Sequence, residues 1–385
     1  MSKDWIVNEE TAGRADWLDC DFTHLATPGV AGLTPYHPGK PISELKRELG
    51  LDDIIKLASN ENPLGPGDKA LAALKELPDL GRYPDGGGFA LRRRIATHHG
   101  VRPEMVTLGN GSNDVLELIA RAFVEPGDEV VYSDHAFAVY ALASQAVGAK
   151  SIVVPADDNY GHDLRAMMRA VTDRTKVMFV ANPNNPTGTW SSGGQLRELI
   201  EGLPDHVILV IDEAYFEYAE AAAAYPNAAV WVSEVPNLVV TRTFSKAHGL
   251  AGLRVGYGLS HPQLAELLNR IRQPFNVNVL AQVAAEVALN DTDHIQRSQQ
   301  VNKNGMQQLT EGLDSLGIHY LPSLANFLCI DMEQPALSVY EMLLKKGIIV
   351  RPIDNYGMPN HLRISIGIEE ENERFLKALA EVLGD

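Results

Sequence analysis

The sequence predicts an α/β protein: a mostly parallel central sheet covered by helices, with a smaller α/β domain beside it. Three observations lead there. Between about Asp68 and His261, apolar β-branched runs of strand length alternate with helix-like segments. These runs are continuously apolar, so the strands are buried on both faces, as in a parallel sheet. After Pro262 the pattern turns helical through about Leu316 and then returns to short strands, which sets a second unit apart.

In order, residues 1–33 are acidic and weakly periodic and read as an N-terminal arm lying over the body or over a partner. Residues 34–66 are expected to join the smaller domain and to form part of the site's rim. They open with TPYHPGKP (Thr34–Pro41), whose prolines and glycine fix an extended, turning backbone. A short helix, ISELKREL (Ile42–Leu49), stops at Gly50. A strand, IIKLAS (Ile54–Ser59), and a loop, NENPLGP (Asn60–Pro66), follow. Residues 67–275 form the expected large domain. Its helices cover Asp68–Leu77, Phe89–His99, Asn113–Val124, Phe137–Val147, Asp163–Val171 and Gly194–Glu201. Its strands cover Met105–Gly109, Glu129–Ser133, Ser151–Pro155, Lys176–Val180, His206–Ile211 and Asn237–Thr241. Residues 276–385 complete the smaller domain, with strands at Phe327–Ile330, Ile348–Val350 and Arg363–Ile366 and a last helix over Glu369–Leu383.

Composition narrows the functional classes. At 385 residues and 45% hydrophobic the chain has ample core for two domains. A formal net charge of −17 repels phosphate backbones and anionic lipid, so nucleic-acid and membrane binding are not expected. Two cysteines, Cys20 and Cys329, make neither a disulfide framework nor a zinc site and fit a reducing cytoplasm. The first residues lack a signal peptide's apolar core, and no run is long enough to span a bilayer.

In such a sheet, ligands sit beyond the carboxyl ends of the strands, and four strand ends carry unusual chemistry. GNGSNDV (Gly109–Val115) puts glycines before a helix start, whose free N–H groups and dipole suit a phosphate. In ANPNNPTG (Ala181–Gly188), two Asn-Pro pairs hold Asn185 in a turn with its amide free to donate. In IDEAYFEY (Ile211–Tyr218), Asp212 ends an apolar strand, where a carboxylate needs a cation or a strong donor. Tyr215 can point to the same place, while Glu213 alternates away and reads as structural. TRTFSKAHGLAGLR (Thr241–Arg254) holds one lysine, Lys246, among hydroxyls after a strand, and desolvation there favours the neutral amine that attacks carbonyls. Together these ends offer a phosphate seat, a buried carboxylate, two hydrogen-bond donors and an amine nucleophile, the set that holds pyridoxal 5′-phosphate.

With those motifs in view, the chain resembles the fold-type I pyridoxal-phosphate-dependent aminotransferases. NPNNPTG, DEAY and SKAHGLAGLRVGY are the shared cofactor motifs. TPYHPGKP, LASNENPLGP, GRYPDGGG and VRPIDNYGMPNHLRISIG make it similar to the histidinol-phosphate aminotransferase family in particular, from about Leu33 to the C-terminus. The resemblance implies that Lys246 forms the internal Schiff base and shuttles the proton, and that Asp212 pairs with the pyridine nitrogen. Tyr215 and Asn185 would bond the phenolic oxygen. Gly111, Ser112, Asn113, Thr243, Ser245 and Arg254 would seat the phosphate. Phe137 takes the place of the ring-stacking aromatic, though Asp134, His135 and Ala136 replace the family's usual preceding residues, and His135 and Tyr140 compete for that role. Tyr83 resembles a tyrosine that reaches the neighbouring subunit's phosphate, which implies a homodimer with shared active sites. His248 reads as a packing residue.

The resemblance also implies substrates: histidinol phosphate and L-glutamate exchange an amino group, with 2-oxoglutarate as acceptor. Arg363 would bind the glutamate α-carboxylate or the phosphate end of the other substrate, Arg351 would be a second phosphate ligand, and Tyr36 would close over it. An aromatic amino-acid aminotransferase, a pyridoxal-phosphate lyase and a non-catalytic binding protein on the same scaffold are the alternatives.

Overall fold

A computed structural model of the chain describes residues 22–35, 39–76 and 80–384. The short strand β1 (Ile55–Lys56) comes first. The next seven strands are β2 (Val106–Gly109), β3 (Glu129–Ser133), β4 (Lys150–Val154), β5 (Thr175–Ala181), β6 (Ile208–Asp212), β7 (Leu238–Thr243) and β8 (Gly256–Ser260). They form one sheet in the order β2-β8-β7-β6-β5-β3-β4. Pairing is parallel from β4 through β3, β5 and β6 to β7, whereas β8 runs antiparallel to both β7 and β2. Two reversals make β2 point the same way as β7, so all the strands except β8 end on one edge. That edge is where the functional motifs lie.

Successive residues of the central strands feed two separate cores, which is why the runs read as continuously apolar. Met178, Val180, Leu209, Ile211 and Val240 pack with Leu91, Ile95, Leu196 and Leu199 on one face. Val177, Phe179, Val210 and Val239 pack with Val115, Leu116, Ile119 and Leu268 on the other. Burying five such side chains contributes on the order of 10 kcal/mol before chain entropy is counted. The strand β8 was missed in the sequence because its glycines look like breakers. They are a packing requirement: a Cβ on Gly256 would stand 2.4 Å from the Ser112 backbone nitrogen, and one on Gly258 2.9 Å from Val115.

The remaining strands are β9 (His319–Leu321), β10 (Phe327–Asp331), β11 (Ile348–Ile349), β12 (Arg351–Pro352) and β13 (His361–Ser365). β12-β13-β10-β9 form an antiparallel sheet, and β11 pairs in parallel with β1. The strand expected over 54–59 is therefore only two residues long. Helices Thr292–Ser315, Ala336–Lys345 and Glu369–Gly384 cover this sheet through Leu309, Leu313, Val339, Leu343, Phe375 and Leu379. The sequence reading overlooked the helix Ala336–Lys345, whose buried positions Ala336, Val339 and Leu343 sit between two apolar strand runs. Along β13 the period-two alternation sends Leu362 and Ile364 into the core and leaves Arg363 and Ser365 on the opposite face.

Of the acidic arm, the described part forms a short helix, Pro28–Ala31, against the helix Ala138–Ala146. The contact is so close that a Cβ on Gly29 would overlap the Gln145 carbonyl. No helix among the described residues is long and apolar enough to cross a membrane.

Candidate active site

A cleft opens at the carboxyl edge of the large sheet, under the face of β13 that carries Arg363. It is lined by Ser112, Asn113, Phe137, Asn185, Asp212, Tyr215, Thr243, Ser245, Lys246, Arg254, Arg351 and Arg363, so twelve of the residues singled out in the sequence meet in one place.

Its anion seat is made by β2 and the helix that follows. Gly111, at φ 86°, is the cap of the helix Ser112–Phe123, and its left-handed turn brings the first free N–H groups to the cleft. A Cβ at Gly111 would lie 2.5 Å from Arg254 Nη2, so the glycine is what lets the guanidinium reach the helix start. Arg254 itself is held at φ 58° and donates from Nη1 to Ser245 Oγ at 3.2 Å and to the Ala251 carbonyl at 3.2 Å. Thr243 Oγ1 accepts from the Ser245 amide at 3.2 Å, which bends the chain after β7 around the same spot. Helix start, hydroxyls and guanidinium form a site for a dianion.

Asp212 ends β6 in register with Ala181 of β5 and Thr241 of β7. Thr241 Oγ1 donates to Oδ1 at 2.8 Å and Tyr140 Oη donates to Oδ2 at 2.9 Å. Burial raises the carboxyl pKa while these donors hold it down. A buried carboxylate met by neutral donors has capacity for a cationic N–H partner. Neither Tyr140 nor Thr241 was given this role from the sequence. Tyr140 is fully buried and stacked on Phe179 at 4.7 Å, which withdraws it as a ring-stacking candidate. His135 Nδ1 donates to the Tyr356 carbonyl at 2.5 Å. Phe137 alone of the three aromatics lines the cleft.

Glu213 does face away: Oε2 receives Arg242 Nη2 at 2.8 Å and Nε at 3.0 Å, and Oε1 receives the Ala228 amide. His248 packs on Phe244 at 4.9 Å and lies 3.6 Å from Glu217, outside the cleft lining.

Lys246 lies in the loop after β7 with Nζ 3.3 Å from the Ser59 carbonyl. Burial, then the nearby charge of Arg363, lowers its pKa to about 7, so a large fraction is neutral amine near neutral pH. Tyr215 Oη accepts from Asn60 Nδ2 at 3.0 Å, and burial pushes its phenol up to about 12, which keeps the proton on. Asn185 Oδ1 accepts from Arg363 Nη1 at 2.5 Å, which leaves its amide N–H groups as donors. Arg363 Nη2 donates to the Ala58 carbonyl at 2.6 Å, and its buried Nε has no hydrogen-bond partner among the described residues. Arg351 pairs in register with Arg363 across β12 and β13, which brings two guanidiniums into the same cleft.

One expected residue lies elsewhere. Tyr83 is 82% exposed, stacked on Phe275 at 4.7 Å, and does not line its own chain's cleft. Tyr36 falls outside the described residues. The sequence reading also missed Asn60, buried at φ 55° in LASNENPLGP, a segment used there only for its resemblance.

Comparison with known proteins bears on what this arrangement does. The family described as aminotransferase class I and II matches residues 52–379. A histidinol-phosphate aminotransferase 2 of Pseudomonas fluorescens strain Pf-5 is 57% identical over 366 residues, spanning 94% of this chain and 98% of the relative. A histidinol-phosphate aminotransferase 1 of Nitrosococcus oceani is 53% identical over 363 residues, 94% of this chain and 98% of the other. The crystal structure of the Sinorhizobium meliloti histidinol-phosphate aminotransferase in complex with pyridoxal 5′-phosphate superposes with a TM-score of 0.86 at 30% identity, covering 93% of this chain and 97% of that one.

Proposed function

The chain belongs to the class I and II aminotransferases, and within them to the histidinol-phosphate aminotransferases, and from that premise we propose how its cleft works. The reaction is transamination between histidinol phosphate and 2-oxoglutarate, giving imidazole-acetol phosphate and L-glutamate, a step of histidine biosynthesis.

The cofactor that fits is pyridoxal 5′-phosphate. The glycine cradle at Gly111 against Arg254 matches its phosphate, and a buried Asp212 with room for a cationic N–H matches its ring nitrogen. When bound, it supplies an aldehyde for amines and a pyridinium ring that takes up the electron pair released at the substrate Cα. Lys246 contributes a neutral nucleophile near pH 7 and afterwards takes up at Nζ the proton that leaves the substrate Cα. Asp212 holds the proton on the ring nitrogen, Tyr215 and Asn185 donate to the phenolic oxygen, and Phe137 covers the ring. Gly111, Ser112, Asn113, Thr243, Ser245 and Arg254 hold the phosphate. Arg363 takes the glutamate α-carboxylate or the phosphate of histidinol phosphate, with Arg351 as its second phosphate ligand and Tyr36 as a cover.

Tyr83 serves the partner's phosphate in a homodimer with shared sites, which its exposure and its stacking on the half-exposed Phe275 support. We further place residues 67–275 in a large domain and 276–385 with 34–66 in a small one, and the enzyme in the cytoplasm.

The observation that carries this reading is the meeting of Lys246, Asp212, Tyr215, Asn185 and the Ser112–Arg254 seat in one cleft. The test is a donor panel under single-turnover conditions, following loss of the visible cofactor band. Histidinol phosphate is expected to exceed phenylalanine in kcat/KM by at least about a hundredfold, since phenylalanine brings no phosphate to accept from the guanidiniums of the cleft. Faster turnover of phenylalanine overturns the reading in favour of an aromatic aminotransferase, and release of CO2 points to a lyase.

A further inference from the structure

The segment Ala58–Asn60 leaves β1 and crosses the cleft, and each of its residues holds a different group there. The Ala58 carbonyl accepts from Arg363 Nη2, the Ser59 carbonyl accepts from Lys246 Nζ, and Asn60 Nδ2 donates to Tyr215 Oη at 3.0 Å. Asn60 is buried, and its backbone and side-chain oxygen are engaged as well. Its backbone N–H donates to Ser365 Oγ at 2.8 Å, Ser365 Oγ donates to Asn60 Oδ1 at 3.0 Å, and Asn326 Nδ2 donates to the Asn60 carbonyl at 3.1 Å.

We infer that Asn60, itself oriented by Ser365, is a positioning residue that turns the Tyr215 hydroxyl proton into the cleft. What that proton meets there, the phenolic oxygen of pyridoxal 5′-phosphate, rests on the function proposed above. A tyrosine hydroxyl has one proton and two lone pairs. The Asn60 N–H occupies a lone pair, so the Tyr215 O–H must point away from Asn60. Because Ser365 Oγ accepts from a backbone N–H, its own proton is free for Oδ1, and this keeps the amide from presenting its oxygen to the tyrosine. An Asn60 turned the other way would accept the Tyr215 proton and remove a donor from the cleft.

The other contacts of Tyr215 fix its ring and leave its proton undirected. Phe327 meets the ring edge-on at 5.3 Å and Lys246 Nζ lies 5.5 Å from its centre. Arg363 from β13, Asp212 from β6 and Tyr356 supply the charged and titratable groups around it. Ser365 stands two residues from Arg363 on the same face of β13, so the strand that binds the substrate anion also sets this relay.

The test is a pH titration of the visible band in purified holoenzyme. A donor to the phenolic oxygen stabilises its anion against the neighbouring proton, so losing that donor raises the midpoint. Asn60→Gly suits the backbone, because φ 55° costs glycine nothing and would strain alanine. We expect Tyr215→Phe to raise the midpoint by roughly one to two pH units and Asn60→Gly by roughly half a unit to one. In the Tyr215→Phe background, Asn60→Gly should add nothing. Asn60→Asp, whose carboxylate takes the tyrosine proton, should raise it further than Asn60→Gly does. An unmoved midpoint in Asn60→Gly beside a raised one in Tyr215→Phe overturns this inference alone, and so does an equal Asn60→Gly shift in both backgrounds. A midpoint that Tyr215→Phe leaves in place removes Tyr215 from the cofactor and takes the inference with it.

Discussion

Replacing Arg351 by glutamine should separate the two halves of the reaction. Arg351 and Arg363 sit opposite each other on β12 and β13, both more than nine-tenths buried in the cleft. Arg363 already spends Nη1 on Asn185 and Nη2 on Ala58, with Nε unpartnered among the described residues. A monoanionic carboxylate can be met by the N–H groups remaining on Arg363. A phosphate dianion carries more charge and a third oxygen, and the neighbouring guanidinium is the group placed to take it. Removing one charge-assisted hydrogen bond costs about 1.5–3 kcal/mol, which at about 1.4 kcal/mol per decade is roughly ten- to 150-fold. That loss should fall on kcat/KM for histidinol phosphate, while the glutamate half-reaction changes by less than about threefold. Stopped-flow single turnovers with each donor, read by the fading visible band, measure both numbers on one preparation. Equal losses in the two halves, or a larger loss for glutamate, would refute the assignment of Arg351 to the phosphate.

Three further outcomes are expected. Asp212→Asn should lower the single-turnover rate by about a hundred- to a thousandfold, because it removes the charge opposite the ring nitrogen. Tyr215→Phe loses one hydrogen bond and should cost only roughly five- to tenfold; equal losses would mean that Asp212 is misassigned. Lys246 gives a pH signature in cofactor-free protein. Its folded pKa, about 7, lies below the ordinary 10.5, so the unfolded chain binds the extra proton between those values. The folded state therefore carries the full penalty below pH 7 and sheds it as pH rises toward 10.5. Urea titrations should show wild type gaining stability on Lys246→Met across that window, and parallel pH curves would contradict the shift. Glu213→Ala strands the buried Arg242 guanidinium and should destabilise the protein by about 3–5 kcal/mol in the same assay. A loss below about 1 kcal/mol would show that Arg242 finds water.

The strand ends were legible because their chemistry is costly where they stand. A carboxylate at the end of ILVID and a lysine after LVVTRT have no place in an apolar sheet unless something polar meets them there. What stayed hidden depends on contacts between distant segments. Asn60 and Ser365 are 305 residues apart and meet only because β1 and β13 come together beside the cleft. Tyr140 likewise reads as an ordinary aromatic of a helix, and nothing local reveals that its hydroxyl ends on Asp212. β8 was hidden for the opposite reason: its glycines signal a loop locally, and only the crowding by Ser112 and Val115 explains them. For the stacking residue the sequence left three aromatics open, and the stacking of Tyr140 on Phe179 and the hydrogen bond of His135 to the Tyr356 carbonyl left Phe137 facing the cleft.

The charge of the cleft runs against that of the chain, and the contrast has a mechanistic consequence. In a protein of net charge −17, the lining holds Lys246, Arg254, Arg351 and Arg363 against the single carboxylate of Asp212. After burial, Arg363 and Arg254 help depress the Lys246 pKa, while Glu61 and Asp212 oppose them. The arginines proposed to bind anions thus also favour the neutral form of the lysine. When a substrate anion neutralises Arg363, that repulsion weakens and the amine's proton affinity rises. A lysine that must attack as a free amine and later accept a proton needs a pKa that moves in this direction, and anion binding at Arg363 across the cleft would supply the change.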